Sequence, residues 1–384
     1  MTNRLLSCVR LAEKGDKISL KRARDTLLDG HVRIARSLCP PPIAERALEF
    51  VHGTLRTHVD DVCAEVLGSG KAIAAQQDMV STVGEKWSTK IMAEYMSGVL
   101  GANVAFVDAG DVIVTDGMAG DSKVLLPATQ ARSDIVLAPL LSQGVLPLMT
   151  GFYGASASGM ITTLGRGGSD LSAAVMGYCL SAGEIVLYKV EYTKGPEGWL
   201  QDWAPGWVGI AHCADSDTTI PLIHYEEARE LAHFAKAVLH PDTVFPAILK
   251  NIPIIVKNSL NPSLPGTAIV GGAVATSGAP RARTVTRTPL AQYESKQFPL
   301  DALSLPQWSP QMIRDAFLVA VVGLEVMRLP GARDRMVASL KEAGILHTIP
   351  HRVNGSFHNL TAIVPGDEQE RTLQLFHKVF IKQQ

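Results

Sequence analysis

The densest chemistry in the chain lies at Thr162-Thr163-Leu164-Gly165-Arg166-Gly167-Gly168-Ser169-Asp170, just ahead of a helical run from Leu171. Its glycines let backbone N–H groups approach an anion closely, and the start of the following helix adds the positive end of its dipole. Arg166 offers a planar fork suited to a carboxylate or a phosphate. Asp170 can orient a cation or simply cap the helix, so a plain glycine-rich turn is the alternative reading. The stretch is neither a Walker A loop nor a dinucleotide G-x-G-x-x-G. Gly154-Ala155-Ser156-Ala157-Ser158 misses the G-x-S-x-G nucleophile elbow at its last position, which leaves serine-hydrolase chemistry unsupported. His347 and His351 are four apart, but Pro350 intervenes and no Cys or carboxylate joins them, so no metal site is read there. Trp199, Trp203 and Trp207 recur every four residues among Gly198, Pro205 and Gly206, a pattern for loop packing or for stacking on a base.

Such residues need a scaffold. Apolar positions recur at helical spacing from Ile18 to Leu38, and Cys39-Pro40-Pro41-Pro42 stops that helix. Further helices are expected from Ile43 to about Leu67 and from about Lys86 to Leu100. Beyond them, short β-rich runs (Val104–Val107, Val112–Thr115, Gly151–Tyr153, Ile185–Val190, Ile252–Val256) alternate with helical stretches at Leu171–Ser181 and Tyr225–Val238. That alternation predicts an α/β layered domain with a mostly parallel sheet. Residues 270–316, rich in Gly and Pro, read as a linker or an eroded small domain. From 317 to 384 the order is Phe317–Val322 strand, Gly331–Ala343 helix, Phe357–Ile363 strand and Glu368–Val379 helix. This suits a small α+β module of βαββαβ type.

Composition narrows the function classes. With 36 basic and 37 acidic residues the net charge is −1, which provides no field for nucleic acid or an anionic membrane. The 384 residues are 46% hydrophobic and 19% charged, a globular balance. The cysteines (Cys8, Cys39, Cys63, Cys179, Cys213) are scattered without a C-x-x-C pair, which reads as buried free thiols in a reducing compartment. The apolar run Ile135–Met149 is broken by Pro139, Gln143, Gly144 and Pro147, and no secretory signal opens the chain. A cytoplasmic protein without a membrane partner is expected.

The motif at 162–170 resembles the T-T-L-G-R-G-G-S-D signature of aspartokinases, in the amino-acid kinase family. Gly151-Phe152-Tyr153-Gly154 resembles the family's G-F-x-G strand end, and Gly84-Glu85 with Ser88 its G-E-x-x-S motif. Tyr225-Glu226-Glu227-Ala228, Val238-Leu239-His240-Pro241, Ile252-Pro253 to Asn258, and Asn261-Pro262 to Gly266-Thr267 follow in family order. The likeness covers residues 1–269 as an amino-acid kinase domain, and residues 317–384 resemble an ACT-like regulatory module.

The resemblance implies transfer of the ATP γ-phosphate to the β-carboxylate of L-aspartate, the first step toward lysine, threonine and methionine, with Mg2+ accompanying ATP. Arg166, Ser169 and Asp170 would form the catalytic set, with Glu85, Arg166 and Phe152 binding substrate. Gly167, Gly168, Lys189, Tyr192, Lys236 and Val238 would bind the nucleotide. An effector amino acid, lysine or threonine, would occupy the ACT-like module of a homodimer. Two departures stand out. The family's opening K-F-G-G-T-S strand has no counterpart here, and Met1-Thr2-Asn3-Arg4-Leu5-Leu6 resembles the T-N-x-L-L that follows it, as though the chain starts inside the domain. In the nucleotide loop, Tyr188–Glu197 lacks the family's Asp and final Arg, and Ala237 takes the nucleotide lysine's place. Lys236 lies one residue earlier, a rotation of about 100° on a helix. These departures carry an alternative: a catalytically impaired paralogue acting as an amino-acid-sensing or regulatory partner.

Overall fold

A computed structural model describes residues 1–165, 167–189, 193–194, 200–201, 221–234, 239, 241–271, 284–289, 308–349 and 356–381. The chain divides into two units, Met1–Ser181 and Ala182–Gln384.

The first unit begins with helices α1 (Thr2–Glu13), α2 (Lys17–Leu38), α3 (Pro41–Thr54), α4 (Asp61–Ser69) and α5 (Ala74–Gly98). Asp16 caps α2 by accepting the Ser19 N–H at 3.0 Å. Proline opens α3, where its missing N–H costs nothing. The single helix expected over Ile43–Leu67 is α3 and α4 joined by a π-helical turn, Leu55–Asp60. Arg24 of α2 grips that turn through Asp60, Nε to Oδ1 at 3.0 Å and Nη2 to Oδ2 at 2.8 Å. Leu5, Val9, Leu48, Val51, Val80, Val83 and Trp87 are the centre of this helical core.

Helix α5 starts twelve residues before the expected Lys86. Gly84 and the β-branched Val80, Thr82 and Val83 lower its local propensity. Burial of Val80, Val83 and Trp87 overrides this, and the Gln76 side chain accepts the Ile73 N–H at 3.0 Å to close the first turn.

The strands of this unit are β1 (Val104–Val107), β2 (Val114–Thr115), β3 (Leu146–Met149), β4 (Tyr153–Ser156) and β5 (Ile161–Thr163). β1 runs parallel to β3 and β2 parallel to β4, while β4 and β5 form an antiparallel hairpin. The strand expected at Val112–Thr115 is split. Asp108 accepts the Gly110 N–H at 2.9 Å and starts a short helix α6 (Ala109–Val112), leaving only β2 extended. Gly154 faces the Ile113 carbonyl so closely that a Cβ could not fit, which is how β4 lies against that segment. Helices α7 (Leu126–Ser142) and α8 (Gly168–Cys179) complete the layer.

In the second unit, β6 (Ile185–Lys189), β9 (Leu222–His224), β10 (Ile254–Asn258) and β11 (Thr267–Val270) form a mixed sheet of order β6-β10-β11-β9. β10 is parallel to β6 and β11 to β9, with an antiparallel β10–β11 contact; β7 (Thr193–Lys194) and β8 (Leu200–Gln201) pair separately. Helices α9 (Tyr225–Phe234) and α10 (Val244–Lys250) belong to this part. Next come β12 (Thr284–Pro289), α11 (Pro310–Arg314), β13 (Phe317–Val322), α12 (Ala332–Glu342), β14 (Asn359–Val364) and α13 (Gln369–Phe380).

β12-β13-β14 is an antiparallel sheet. Met336, Leu340, Phe376 and Phe380 of α12 and α13 pack on Val319, Val321, Leu360 and Ala362. The stretch read as a linker or an eroded small domain contributes the strand β12 to this sheet. Its Thr-Val-Thr-Arg-Thr run is β-forming, and Pro289 sits at the end of an edge strand where a missing N–H is tolerated. From Phe317 onward the described order is strand, helix, strand, helix, with only a Thr348–Ile363 bridge between α12 and β14. Buried Glu227 of α9 accepts the His224 N–H at 2.8 Å and the Leu324 N–H at 3.0 Å; buried Glu230 accepts Asn359 Nδ2 at 2.8 Å. Two carboxylates thereby bind α9 to the small antiparallel module. Among the described residues no helix is long and apolar enough to cross a membrane.

Trp87 is fully buried and its Nε1 donates to Thr54 Oγ1 at 2.6 Å, joining α5 to the end of α3. Trp87→Ala is expected to lower stability by about 3–5 kcal/mol in urea unfolding, the usual range for a core aromatic; a loss under about 1 kcal/mol would show that α5 is held elsewhere.

Candidate functional site

Helix α5, hairpin β4–β5 and the start of α8 converge on a pocket of about 590 Å³ in the first unit. It is lined by Thr2, Asn3 and Leu6 of α1, Gln77, Asp78, Ser81 and Glu85 of α5, Gly120, Phe152, Thr163, Gly165, Gly167, Gly168 and Ser169. The volume is in the range of small-molecule sites.

One wall is the glycine loop. β5 ends at Thr163, Gly165 and Gly167 both turn at φ +78°, and α8 begins at Gly168. A Cβ on Gly168 would lie 2.9 Å from Leu164 Cβ and 3.1 Å from the Phe152 carbonyl oxygen, so only glycine allows α8 to start this close to β4. Asp170 N–H donates to the Gly167 carbonyl at 3.0 Å. The first N–H groups of a helix lack intrahelical acceptors, so the exposed Ser169 and its neighbours present an anion-attracting end to the pocket.

Phe152 forms the adjoining edge with φ +79°, a backbone conformation costly for a bulky residue. It is held there at both ends of its peptide. Its N–H donates to Ser172 Oγ at 3.0 Å and its carbonyl accepts the Leu164 N–H at 2.9 Å. The turn positions the ring between the pocket and the Ala109, Ile113 and Tyr153 cluster.

Glu85 supplies the anionic side. Burial pushes its carboxyl above the ordinary glutamate value, opposed in part by a hydrogen bond from the Gly151 N–H. Behind it Lys86 is buried and ion-paired with Asp108. Its Nζ also lies 5.1 Å from the centre of the Tyr153 ring. Tyr153 Oη donates to Asp108 Oδ1 at 2.7 Å and accepts from Thr150 Oγ1 at 2.9 Å, while Thr150 Oγ1 accepts the Ala109 N–H at 2.7 Å. Burial alone would raise the Asp108 carboxyl, but the Lys86 ammonium and the hydrogen bonds outweigh it and hold the carboxyl below its ordinary value. Burial first, then the Asp108 charge, push the Tyr153 hydroxyl up, so it stays a donor. This network ties α5 to the ends of β1, β3 and β4.

Of the residues singled out from sequence, Glu85, Phe152, Gly167, Gly168 and Ser169 meet at one pocket. Asp170 is buried in the first turn of α8. Lys189 ends β6 in the second unit, where its carbonyl accepts from Ser259 N at 3.0 Å. Arg166, Tyr192, Lys236 and Val238 lie outside the described residues, as do the three tryptophans 199, 203 and 207. Sequence reasoning missed Asp78, Ser81 and Thr163 as lining residues, and the Lys86–Asp108–Tyr153 network. Asp78 precedes Glu85 by two helical turns on the same face, a signal available only once α5 is extended to Ala74.

Residues 42–196 match the amino acid kinase family. "Aspartokinase 3, chloroplastic" of Arabidopsis thaliana is 35% identical over 195 residues, covering 50% of this chain and 33% of that protein. The Arabidopsis bifunctional aspartokinase/homoserine dehydrogenase 2 is 24% identical over 96% of this chain and 36% of its own length. The chain thus spans about a third of the length of these curated relatives. Among solved structures, E. coli aspartokinase III in complex with aspartate and ADP (R-state) superposes with TM-score 0.72 and 22% identity, covering 98% of this chain and 90% of that one. The same enzyme in complex with lysine and aspartate (T-state) gives TM-score 0.70 and 22% identity over 99% of this chain and 90% of that one. The architecture, α/β with parallel strand pairs, is the aspartokinase fold.

Two outcomes are expected from the site's electrostatics. Because folding raises the Glu85 pKa, its contribution to stability is complete below the ordinary value of 4.5 and is lost as pH rises through the raised folded value. The stability of Glu85→Gln relative to wild type, from urea unfolding across pH, should therefore climb above pH 4.5 and then level off; a flat difference contradicts the burial effect. Lys86→Met leaves the partly buried Asp108 without its cation and should cost up to about 3–5 kcal/mol at neutral pH, an effect that Asp108→Asn in the same chain should partly cancel.

Proposed function

We propose that this aspartokinase-type amino acid kinase transfers the γ-phosphoryl group of ATP to the β-carboxylate of L-aspartate. The observation that carries the reading is the pairing, within one pocket, of the half-buried Glu85 carboxylate with the glycine loop and the N-terminus of α8. An amino dicarboxylate has one cation and two anions, and this pocket opposes one anionic wall to an amide-lined one. Glu85 pairs with the α-ammonium, which compensates for the cost that burial places on its charged form. Arg166, two residues before α8, grips a substrate carboxylate, and Phe152 packs beside the substrate's short side chain.

The β-carboxylate is already ionised at pH 7, so no general base is required. What the reaction needs is orientation and relief of clustered negative charge. The N–H groups at Gly167, Gly168 and Ser169 fit a phosphate, and in this reading Ser169 and Asp170 order that side of the site. Mg2+ accompanying ATP would supply charge neutralisation on the phosphate side of the site. Lys189, Tyr192, Lys236 and Val238 serve the nucleotide. Residues 1–269 act as the kinase domain and residues 317–384 as an ACT-like module for an effector amino acid, lysine or threonine, in a homodimer. The lysine held by E. coli aspartokinase III supports that assignment by analogy.

The folded chain is expected to bind L-aspartate in calorimetry, and Arg166→Ala to weaken binding by about 2–5 kcal/mol, as for one partner of a desolvated charge pair. With ATP and Mg2+, hydroxylamine should trap aspartyl phosphate as its hydroxamate in an Arg166-dependent manner. A folded chain that binds no aspartate would overturn the reading.

A further inference from the structure

Asp78 is a buried carboxylate on the wall of the pocket to which the proposed reaction assigns no role. Its surroundings are unusually demanding. Oδ1 accepts the Thr163 hydroxyl at 2.8 Å, and Oδ2 accepts the Thr163 N–H at 3.0 Å and the Gly120 N–H at 2.7 Å. Three donors from two distant segments meet on one side chain. A carboxylate can accept all three without a donor of its own. Removing such an acceptor would strand the buried Thr163 N–H and release the Gly120 N–H.

Both segments are walls of the same site. Thr163 ends β5 and leads through Leu164 into the glycine loop; its carbonyl is also taken, by the Ser122 N–H at 3.1 Å. Gly120 belongs to a loop that Asp116 folds by accepting the N–H groups of Met118 at 3.1 Å and Lys123 at 3.2 Å. Asp78 and Glu85 are seven residues apart on α5, about 10.5 Å along a rigid helix. Whatever fixes Thr163 to Asp78 therefore fixes the glycine loop relative to Glu85.

We propose that Asp78 is the positioning residue of the pocket: its carboxylate holds the glycine loop and the Gly120 loop in register with Glu85, so that the cationic and anionic ends of the substrate are gripped at one spacing. Acceptor geometry, and not negative charge, is what it contributes. The inference deepens the aspartate-binding reading and rests on it for the identity of the ligand.

The test compares Asp78→Ala with Asp78→Asn in the full chain. Asparagine can keep both N–H acceptances through its amide oxygen and donate to Thr163 Oγ1, which reverses as a hydroxyl can. Hydrogen exchange, read without ligand, should accelerate by at least about tenfold at Gly117–Ser122 and Thr162–Ser169 in Asp78→Ala, the scale expected for a stranded buried amide. Protection in α1–α4 should be retained, and Asp78→Asn should stay near wild type. L-Aspartate affinity should fall in parallel in the alanine variant and recover in the asparagine variant. Unchanged exchange in Asp78→Ala, loss of protection across the whole unit, unchanged affinity despite an opened loop, or failure of Asp78→Asn to restore the site would each overturn the assignment. If wild type itself binds no L-aspartate, the substrate reading fails while the exchange comparison still decides the role of Asp78.

Discussion

A carboxylate withdrawn from water must be met by donors, and helix α5 carries that requirement into the middle of the first unit. Lys86 faces Asp108 at the end of β1, and Asp108 in turn is met by Tyr153 and Gly110. Asp78, two turns earlier on the same helix, is met by Thr163 and Gly120. Each group would be costly if unpaired. The strands and loops that satisfy them are thus held at defined positions along one rigid rod, and Glu85 lies between the two anchoring points.

The opposite wall obeys a different constraint, close approach. Gly168 has no Cβ because Leu164 and the Phe152 backbone occupy that space, and Gly165 and Gly167 turn with positive φ. Phe152 accepts an unfavourable backbone conformation that its two peptide hydrogen bonds maintain. Together these features bring the positive end of α8 against a half-buried glutamate. Backbone strain and buried polar groups coincide at the pocket, while the helical core around Trp87 is built from buried apolar side chains.

The second unit uses buried carboxylates in the same manner. Glu227 and Glu230 of α9 take donors from Leu324 and Asn359, so the helix that leads toward residues 235–241 is continuous in hydrogen bonding with the antiparallel module. In that unit, as in the first, a helix carries acidic residues inward and neighbouring strands and loops supply the donors.

What could be read from the chain alone was local. The glycine loop, Glu85 and Phe152 announce themselves through residue types in adjacent positions, and the helices α2, α12 and α13 through apolar spacing that needs no partner to be recognised. The first half of α5 and strand β12 were hidden because their local preferences, with Gly84 and β-branched residues in one and Gly- and Pro-rich flanks on the other, are outweighed by burial and by pairing to β13. Tertiary structure alone decided the partners of Asp78 and Lys86. Thr163 lies 85 residues from Asp78, and Asp108 lies 22 from Lys86. No periodicity or motif encodes a pairing across such distances, because the energy that selects it is the desolvation of a charge, and that cost arises only when the fold has closed around it.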